Sequence, residues 1–374
     1  MKEKHRYFIG AAAKTLDVLE SFADNAEQLS ITEIARRAEL SYTSAFRLLY
    51  TLERRGYVMR LPGKKRYLLA PSRKRFRVGY AALGKIAFAN EVTRSMHAAA
   101  RRSGIALLYL DNEDNPSKAI VNADQLLAEG IDIFIEFHRN DAINHLVATK
   151  CHNAGVPVIA INFPLPGAYY FGADSYKTGW LAGAFLRQYA QKEWRDAPTT
   201  CLILPTEGVE ATHHTRTMGL LESLTKEPLK GASPEINIAP FGVTAQDGYH
   251  LTKQFVHEKG RRSRRLLVAA FSDPLGIGAK RALKEAGLGE TSVIACQGGT
   301  IEARRHIRRG GTLKASVAYF PESYGERVLK LAVKILEGEH PPLTTYTDHV
   351  VLTADNISEF YNEKGDAKRS LAKT

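Results

Sequence analysis

The chain has little cysteine, tryptophan or methionine: three, two and four residues in 374. Cys151, Cys201 and Cys296 lie far apart and match no CxxC or Cys/His spacing. That excludes a disulfide framework, a zinc ribbon and a redox dithiol, and leaves buried, reduced thiols. No run of eighteen apolar residues occurs, so no membrane span is expected. Near the N-terminus the apolar stretch GAAAKTLDVL is interrupted by Lys14 and Asp17, too early for a secretory signal, so the expected location is the cytoplasm. There is no Walker motif, no nucleophile elbow and no HExxH, and Gly276-Ile277-Gly278 lacks the rest of a phosphate loop. Glu207, Glu210, His213 and His214 do form a cluster, EGVEATHH, that suggests a partial metal site or an acid/base pair. It has no recognisable third ligand, so a cleft-lining helix start is the preferred reading. We therefore expect no enzyme, no cofactor and no metal, and keep a metal-dependent enzyme built on Glu210, His213 and His214 as an alternative.

What the chain has is positive charge, unevenly placed. The net charge is +12, and residues 1–75 hold sixteen Lys/Arg against eight Asp/Glu, a local excess of +8. Two thirds of the excess in one fifth of the chain points to a polyanionic partner there. The basic runs Arg261-Arg262-Ser263-Arg264-Arg265 and Arg304-Arg305 with Arg308-Arg309 read as solvated surface.

Within the basic region, Ala11–Ala23 has helical spacing, with Leu16, Leu19 and Phe22 on one side. Ile31, Ile34, Ala35 and Ala38 form the apolar face of a second helix, and Phe46, Leu49 and Leu52 that of a third. Ser30 and Ser41 are expected to cap these two helices, and a tight turn at Glu39-Leu40-Ser41 to split them. A hairpin follows: Tyr57–Arg60, a Pro62-Gly63 turn, then Lys64-Lys65-Arg66-Tyr67, with Tyr57 and Tyr67 in its core. Helix, turn, helix and basic hairpin make a winged helix-turn-helix, whose second helix can enter the major groove.

The stretches KTLDVLESF and SITEIARRAELSYTSAFRLLYTLERRGYV resemble the winged helix-turn-helix of IclR-type regulators over about Ile9 to Leu69. Glu39 stands where that family usually has glycine, so it must accept an unusual φ. The resemblance implies base readers at the start of the recognition helix: Ser41, Tyr42, Thr43, Ser44 and Arg47. Arg36, Arg37, Arg54, Lys64, Lys65 and Arg66 are assigned to phosphates.

Residues 1–70 are expected to form the winged helix-turn-helix domain, and 71–75, within the run Ala70–Arg75, a short basic linker. From Phe76 onward, short apolar strands alternate with amphipathic helices, the signature of parallel sheets wrapped by helices. The order ALLYLDNEDNPSKAIVNADQLLAEGIDIFIEF, AGVPVIAIN, FGADSYKTGWLAGAFL, LLVAAFSDPLGIGAKRALKEAG, ASVAYFPESYGERVLKLAVKILEGE resembles the sensor domain of LacI-family repressors and ribose-type binding proteins. It implies an α/β fold: a two-lobed, doubly wound periplasmic-binding-protein-like domain over 76–361. Lobe one is about 76–177 plus 300–320, lobe two is the remainder, and 362–374 is a loose tail. Ligands of such folds bind beyond the carboxyl ends of the strands, between the lobes. The candidates are Lys85, Phe88, Asn112, His138, Arg139, Asn162, Phe163, Asp174, His214, Arg216, Ser272, Asp273, Gln297 and Tyr319. Planar polar groups beside aromatic rings suit a sugar. Against a ribose-type site, Asn162-Phe163 replaces Asp-Arg, Gln297 replaces Asp, Tyr319 replaces Gln and His214 replaces Arg, so ribose itself is not expected.

The sequence thus predicts a ligand-responsive regulator, a repressor bound to double-stranded operator DNA as a homodimer and governed by a carbohydrate effector. The other alternative is a solute-binding protein of a transport system.

Overall fold

In a computed structural model, the chain divides into two units, residues 1–75 and 76–374. The structure describes residues 9–24, 27–61, 63–70, 76–84, 86–194, 199–206, 210–226, 234–259, 265–363 and 365–368, apart from the side chains of 210 and 211. Pro62, the 71–75 linker, Lys85, Arg261–Arg264 and the last six residues of the expected tail lie outside the described residues.

The first unit contains α1 (Gly10–Glu20), β1 (Leu29–Ser30), α2 (Ile31–Arg37), α3 (Tyr42–Arg54), β2 (Val58–Arg60) and β3 (Arg66–Leu69). Its strands form one small sheet in the order β1-β3-β2, antiparallel throughout. Both expected caps form. Ser30 accepts from Glu33 N–H while Glu33 reaches back to Ser30 N–H, a complete capping box, and Ser41 accepts from Ser44 N–H. Glu39 takes φ +51° at the turn where glycine would be unstrained. The core is Val18, Phe22, Ile34, Leu49, Leu52, Val58 and Tyr67. Three expected core residues are instead on the surface. Leu16 and Phe46 are about half exposed because Val18 and Ala45 occupy the inward positions of α1 and α3, and Tyr57 is equally exposed while Val58, next to it, turns inward.

The second unit begins with β4 (Arg77–Ala82), α4 (Ala87–Ser103), β5 (Ala106–Asp111), α5 (Pro116–Ala128), β6 (Ile133–Glu136), α6 (Asp141–Asn153), β7 (Val158–Ile161) and β8 (Tyr169–Gly172). It continues through α7 (Ser175–Tyr189), a π turn at Ala190–Trp194, β9 (Thr200–Leu204), α8 (Glu210–Thr225), β10 (Glu235–Ile238), α9 (Ala245–Lys259), β11 (Leu266–Ala270) and α10 (Asp273–Glu285). It closes with β12 (Ser292–Gly298), α11 (Ile301–Arg309), β13 (Leu313–Ala318), α12 (Tyr324–Leu336), β14 (Thr344–Tyr346), β15 (Val350–Leu352) and α13 (Ile357–Phe360).

Two six-stranded sheets result, ordered β14-β8-β7-β6-β4-β5 and β10-β9-β11-β12-β13-β15. All pairings are parallel except β13 with β15. Strands β4 and β9 bury both faces: Val78 and Tyr80 point to one apolar cluster and Ala81 to another, as do Cys201 and Ile203 against Leu202 and Leu204. Such strands must be wrapped by helices on both sides. The three thiols are buried and free, and burial pushes those of Cys151 and Cys201 up to about 12, so they stay inert.

The lobe boundary differs from expectation. Residues 300–320 do not join the first sheet: β13 pairs with β12, as adjacent apolar parallel strands. The return to the first lobe comes later, where α12 packs on α4 and β14 pairs with β8. Strands β14 and β15 carry no signal in the sequence, since each is three residues long, below the length at which alternation shows. The chain beyond 361 also has structure: Tyr361 is buried, and Lys368 N–H donates to the Phe360 carbonyl.

Helices α7 and α8 approach so closely that side chains are excluded between them. A Cβ at Gly179 would overlap the Arg216 carbonyl, one at Gly183 the Ser223 hydroxyl and the Leu220 carbonyl, and one at Gly219 the Tyr176 carbonyl. We expect Gly179→Ala to destabilise the second unit by about 1–3 kcal/mol through overpacking, read as a lowered urea midpoint. An unchanged midpoint would contradict this packing.

Candidate functional site

The order of strands reverses at β4 in the first sheet and at β9 in the second, and the carboxyl ends beside these switch points face one cavity of about 130 Å³. From the first lobe it is lined by Leu83, Ile86, Phe88, Phe137, Arg139, Asn162 and Phe163. From the second come Thr206, Thr212, His213, Arg216, Phe271, Ser272, Asp273, Gln297, Thr300 and Tyr319. Most of the wall is aromatic or aliphatic, and Phe88 meets Tyr319 and Tyr324 edge-to-face with centroids 6.0 and 5.6 Å away.

The polar groups are held firmly. Asn162 ends β7 with φ +60°, and its Oδ1 accepts from Ala173 N–H at 3.2 Å and Tyr324 O–H at 2.9 Å. Glycine at 172 leaves the room this needs, since a Cβ there would overlap the Asn162 carboxamide oxygen. Phe320, next to Tyr319, is also left-handed, as are Glu113 and Asp114. Backbone strain of this kind persists only where the surroundings impose it, and it gathers at ligand clamps. Arg139 forks onto the Asp114 carboxylate, with Nε to Oδ1 at 2.9 Å. Asp273 begins α10 fully buried, with Ser316 O–H and Thr300 N–H each donating to it at 2.7 Å. Burial raises its carboxyl above the usual range, against the opposing pull of these bonds. Tyr319 O–H donates to Gln297 Oε1 at 2.5 Å.

Several predicted ligand contacts lie elsewhere. Asn112 is buried behind the wall, its Oδ1 accepting from Asn122. His138 is buried too, with Nδ1 accepting from Asn140 N–H. Asp174 caps α7 by accepting from Lys177 N–H, while its own N–H donates to His349. Burial depresses the His349 imidazole to about 4, so it stays a neutral acceptor near neutral pH. His214 faces solvent, and His213 and Thr212, one and two residues earlier, line the cavity instead. One residue along a helix is a rotation of about 100°, so a one-residue difference exchanges a cavity-facing side chain for a solvent-facing one. His213 and His214 thus point to different sides of α8, one buried and one exposed. Among the described residues no group of three potential ligands could hold a metal; Glu207 and the Glu210 side chain lie outside them. Sequence reasoning also missed Phe137, Thr206 and Thr300, whose only signal was position just after a strand.

In the first unit, Tyr42, Thr43 and Arg47 are exposed along the start and middle of α3, while Ser41 and Ser44 bond each other at 2.9 Å. Arg36, Lys64 and Lys65 are exposed cations, and Arg54 lies over the Tyr50 ring. Arg37 and Arg66 are committed to structure. Arg37 bonds the Ser21 carbonyl at 2.8 Å and pairs with Glu27, while Arg66 bonds the Gln28 carbonyl at 2.6 Å. Both tie the loop before α2, which departs from a purely phosphate-contacting role.

Arg304, expected on the solvated surface, is 2% exposed. It pairs with buried Glu91 of α4 at 3.1 Å and lies over the Tyr361 ring at 3.9 Å, while Glu91 also accepts from Ile301 N–H. This links α4 to α11, one from each lobe.

The fold and cleft define a two-lobed solute-binding architecture preceded by a helix-turn-helix. A periplasmic binding protein domain profile matches residues 81–340, and an IclR helix-turn-helix domain profile matches 11–62. The chain belongs to the periplasmic binding protein domain family and carries an IclR-type helix-turn-helix at its start. It is 24% identical over 253 residues to the ribose import binding protein of Salmonella typhimurium, covering 64% of this chain and 77% of that one. The Haemophilus influenzae ribose import binding protein is 25% identical over 248 residues, 63% and 77% of the two chains. Among solved structures, a Mycobacterium smegmatis ABC transporter solute-binding protein with bound glycerol superposes with TM-score 0.70 at 20% identity, covering 79% and 99% of the two chains. An Actinobacillus succinogenes solute-binding protein with bound D-allose gives 0.67 at 17% identity, covering 76% and 100%. These structures share the fold.

Behind the cleft wall, Glu136 ends β6 at 2% exposure, and neither carboxyl oxygen has a partner. Burial pushes its carboxyl up to about 8 from the ordinary 4.5. Below 4.5 folded and unfolded chains are both protonated, and this group's contribution is fully present; as pH rises to 8 the unfolded chain releases the proton first and stability is lost. Glu136→Gln should remove a decline on the order of 3 kcal/mol between those pH values. Urea unfolding of both proteins from pH 4.5 to 8 checks this; parallel curves would disprove it.

Proposed function

We propose that this chain is a sugar-responsive transcriptional repressor. The observation that carries the reading is the union, in one polypeptide, of an IclR-type DNA reader and a solute-binding domain with an aromatic-walled cleft. A transport role would use the cleft and leave the reader without purpose. No helix among the described residues is long and apolar enough to cross a membrane, and operator binding would place the protein in the cytoplasm.

In this reading Ser41, Tyr42, Thr43, Ser44 and Arg47 present side chains to base edges, and Arg36, Arg54, Lys64 and Lys65 contact phosphates. Two copies bound as a homodimer would read two half-sites, as one helix-turn-helix covers only one. The effector would bridge the lobes from Phe88, Asn162 and Phe163 on one side to Arg216, Asp273, Gln297 and Tyr319 on the other. Closure would change the affinity for DNA by differential stabilisation of one lobe arrangement.

Selection from a random duplex library with the full chain tests the reader; failure to enrich any sequence would sink it. On the enriched site we expect Arg47→Ala to relax preference at one base pair by about 1–3 kcal/mol, and Lys64→Ala to weaken all sequences alike while lowering the salt slope by about 1. Unaltered base preference in Arg47→Ala would reject Arg47 as a reader.

A further inference from the structure

The cleft holds a buried cation and two side-chain amides whose N–H donors the protein leaves unused. Arg216 is 8% exposed and lines the cavity, yet its Nε–H has no partner. One of its terminal nitrogens donates to the Phe271 carbonyl at a long 3.3 Å, with the guanidinium 5.6 Å from that ring's centroid. Gln297 keeps its Nε2 unpartnered, since only Oε1 is used, by Tyr319. Asn162 has committed its oxygen twice, so its amide N–H groups are what remain. The Ser272 and Thr212 hydroxyls on the wall, also without a partner, can accept as well as donate. Asp273, the one carboxylate on the cavity wall among the described residues, receives Ser316 O–H on one oxygen and Thr300 N–H on the other.

A neutral polyol brings a proton with every hydroxyl, and each needs an acceptor when buried. A carboxylate or phosphate group brings acceptors only. Among the described residues no carboxylate pairs with Arg216, and a buried cation left unpaired is costly until an anion meets it. We infer that the effector is an acidic sugar derivative whose carboxylate or phosphate oxygens sit on Arg216. Its remaining oxygens take the Gln297 and Asn162 amides, and its C–H faces lie against Phe88 and Phe163. This rests on the sugar-sensor reading and narrows it, and it departs from the neutral glycerol and D-allose bound by the structural relatives.

The test is calorimetric titration of the full chain with matched pairs: gluconate and glucitol, galacturonate and galactose, ribose 5-phosphate and ribose, with inorganic phosphate alone. The acidic member of at least one pair should bind on the order of tenfold or more tighter than its neutral partner. The pair in which this happens tells carboxylate from phosphate. Arg216→Gln should abolish the preference and Arg216→Lys retain part of it. Should the glutamine variant not fold, the wild-type protein gives a second readout: affinity for the acidic member falls with added potassium chloride and that for the neutral member does not. Equal or tighter binding of neutral sugars overturns the inference and leaves the sugar sensor standing. Inorganic phosphate binding as tightly as ribose 5-phosphate overturns it, because the anion is then held without the sugar. Binding by no member of any pair overturns this inference and the sugar reading together.

Discussion

The contact on which the cleft depends is the near-touching of α7 and α8. Three glycines, Gly179, Gly183 and Gly219, leave no room for a Cβ between the two backbones. The consequence is positional. With the helices this close, the first turns of α8 are fixed against the second sheet, and Thr212, His213 and Arg216 fall on the cavity wall while His214 faces outward. A longer interhelix distance would change which residues of α8 the ligand meets. The same helix pair also covers the face of β9 that carries Cys201 and Ile203. Packing of an ordinary apolar face and placement of the cavity-lining residues are therefore one constraint.

The second organising feature is the buried ion pair of Glu91 with Arg304. Burial of both charges is expensive, and such pairs give little net stability against an apolar replacement. Glu91 reflects the cost: desolvation holds its carboxyl above the usual range, with the Ile301 N–H and the Arg304 charge opposing. What the pair does supply is a defined partner, because α4 and α11 belong to different lobes and neither charge can be left alone without a larger penalty. Tyr361, under the guanidinium, brings the end of the chain into the same contact.

The sequence made visible what depends on periodicity and local chemistry. Ser30 and Ser41 were readable as caps because a hydroxyl before an apolar-periodic segment satisfies an otherwise orphaned N–H. The parallel sheets were readable from uniformly apolar strands such as β9 and β11. What depended on phase or on distant partners was not readable. Phe46 and Ala45 are both apolar, and only packing decides which of them turns inward. His213 and His214 pose the same problem. Arg304 resembles any arginine in a basic run, and only Glu91, more than two hundred residues earlier, makes it a core residue. Asn112 and Asp174 follow strands as cleft residues do, but their side chains are taken by Asn122 and by the Lys177 N–H.

In the proposed sensor, conformational response would place a further demand on the cleft. A ligand shifts an equilibrium between lobe arrangements only by the difference in its contacts with each, and useful coupling of about 1–3 kcal/mol is small beside total binding energy. The aromatic walls contribute mainly affinity, since a ring on one lobe can hold a sugar face in either arrangement. Difference must come from groups that are satisfied only when both lobes reach the ligand. Asn162 belongs to the first sheet; Arg216 and Gln297 belong to the second lobe. Each offers a donor that the protein itself leaves unused. An effector oxygen shared between these groups would relieve an unpaired donor on both sides at once, and an opened cleft would forfeit one side. In the proposed sensor, the same unused donors that would favour an anionic ligand would thus also supply the energetic difference through which binding could be transmitted.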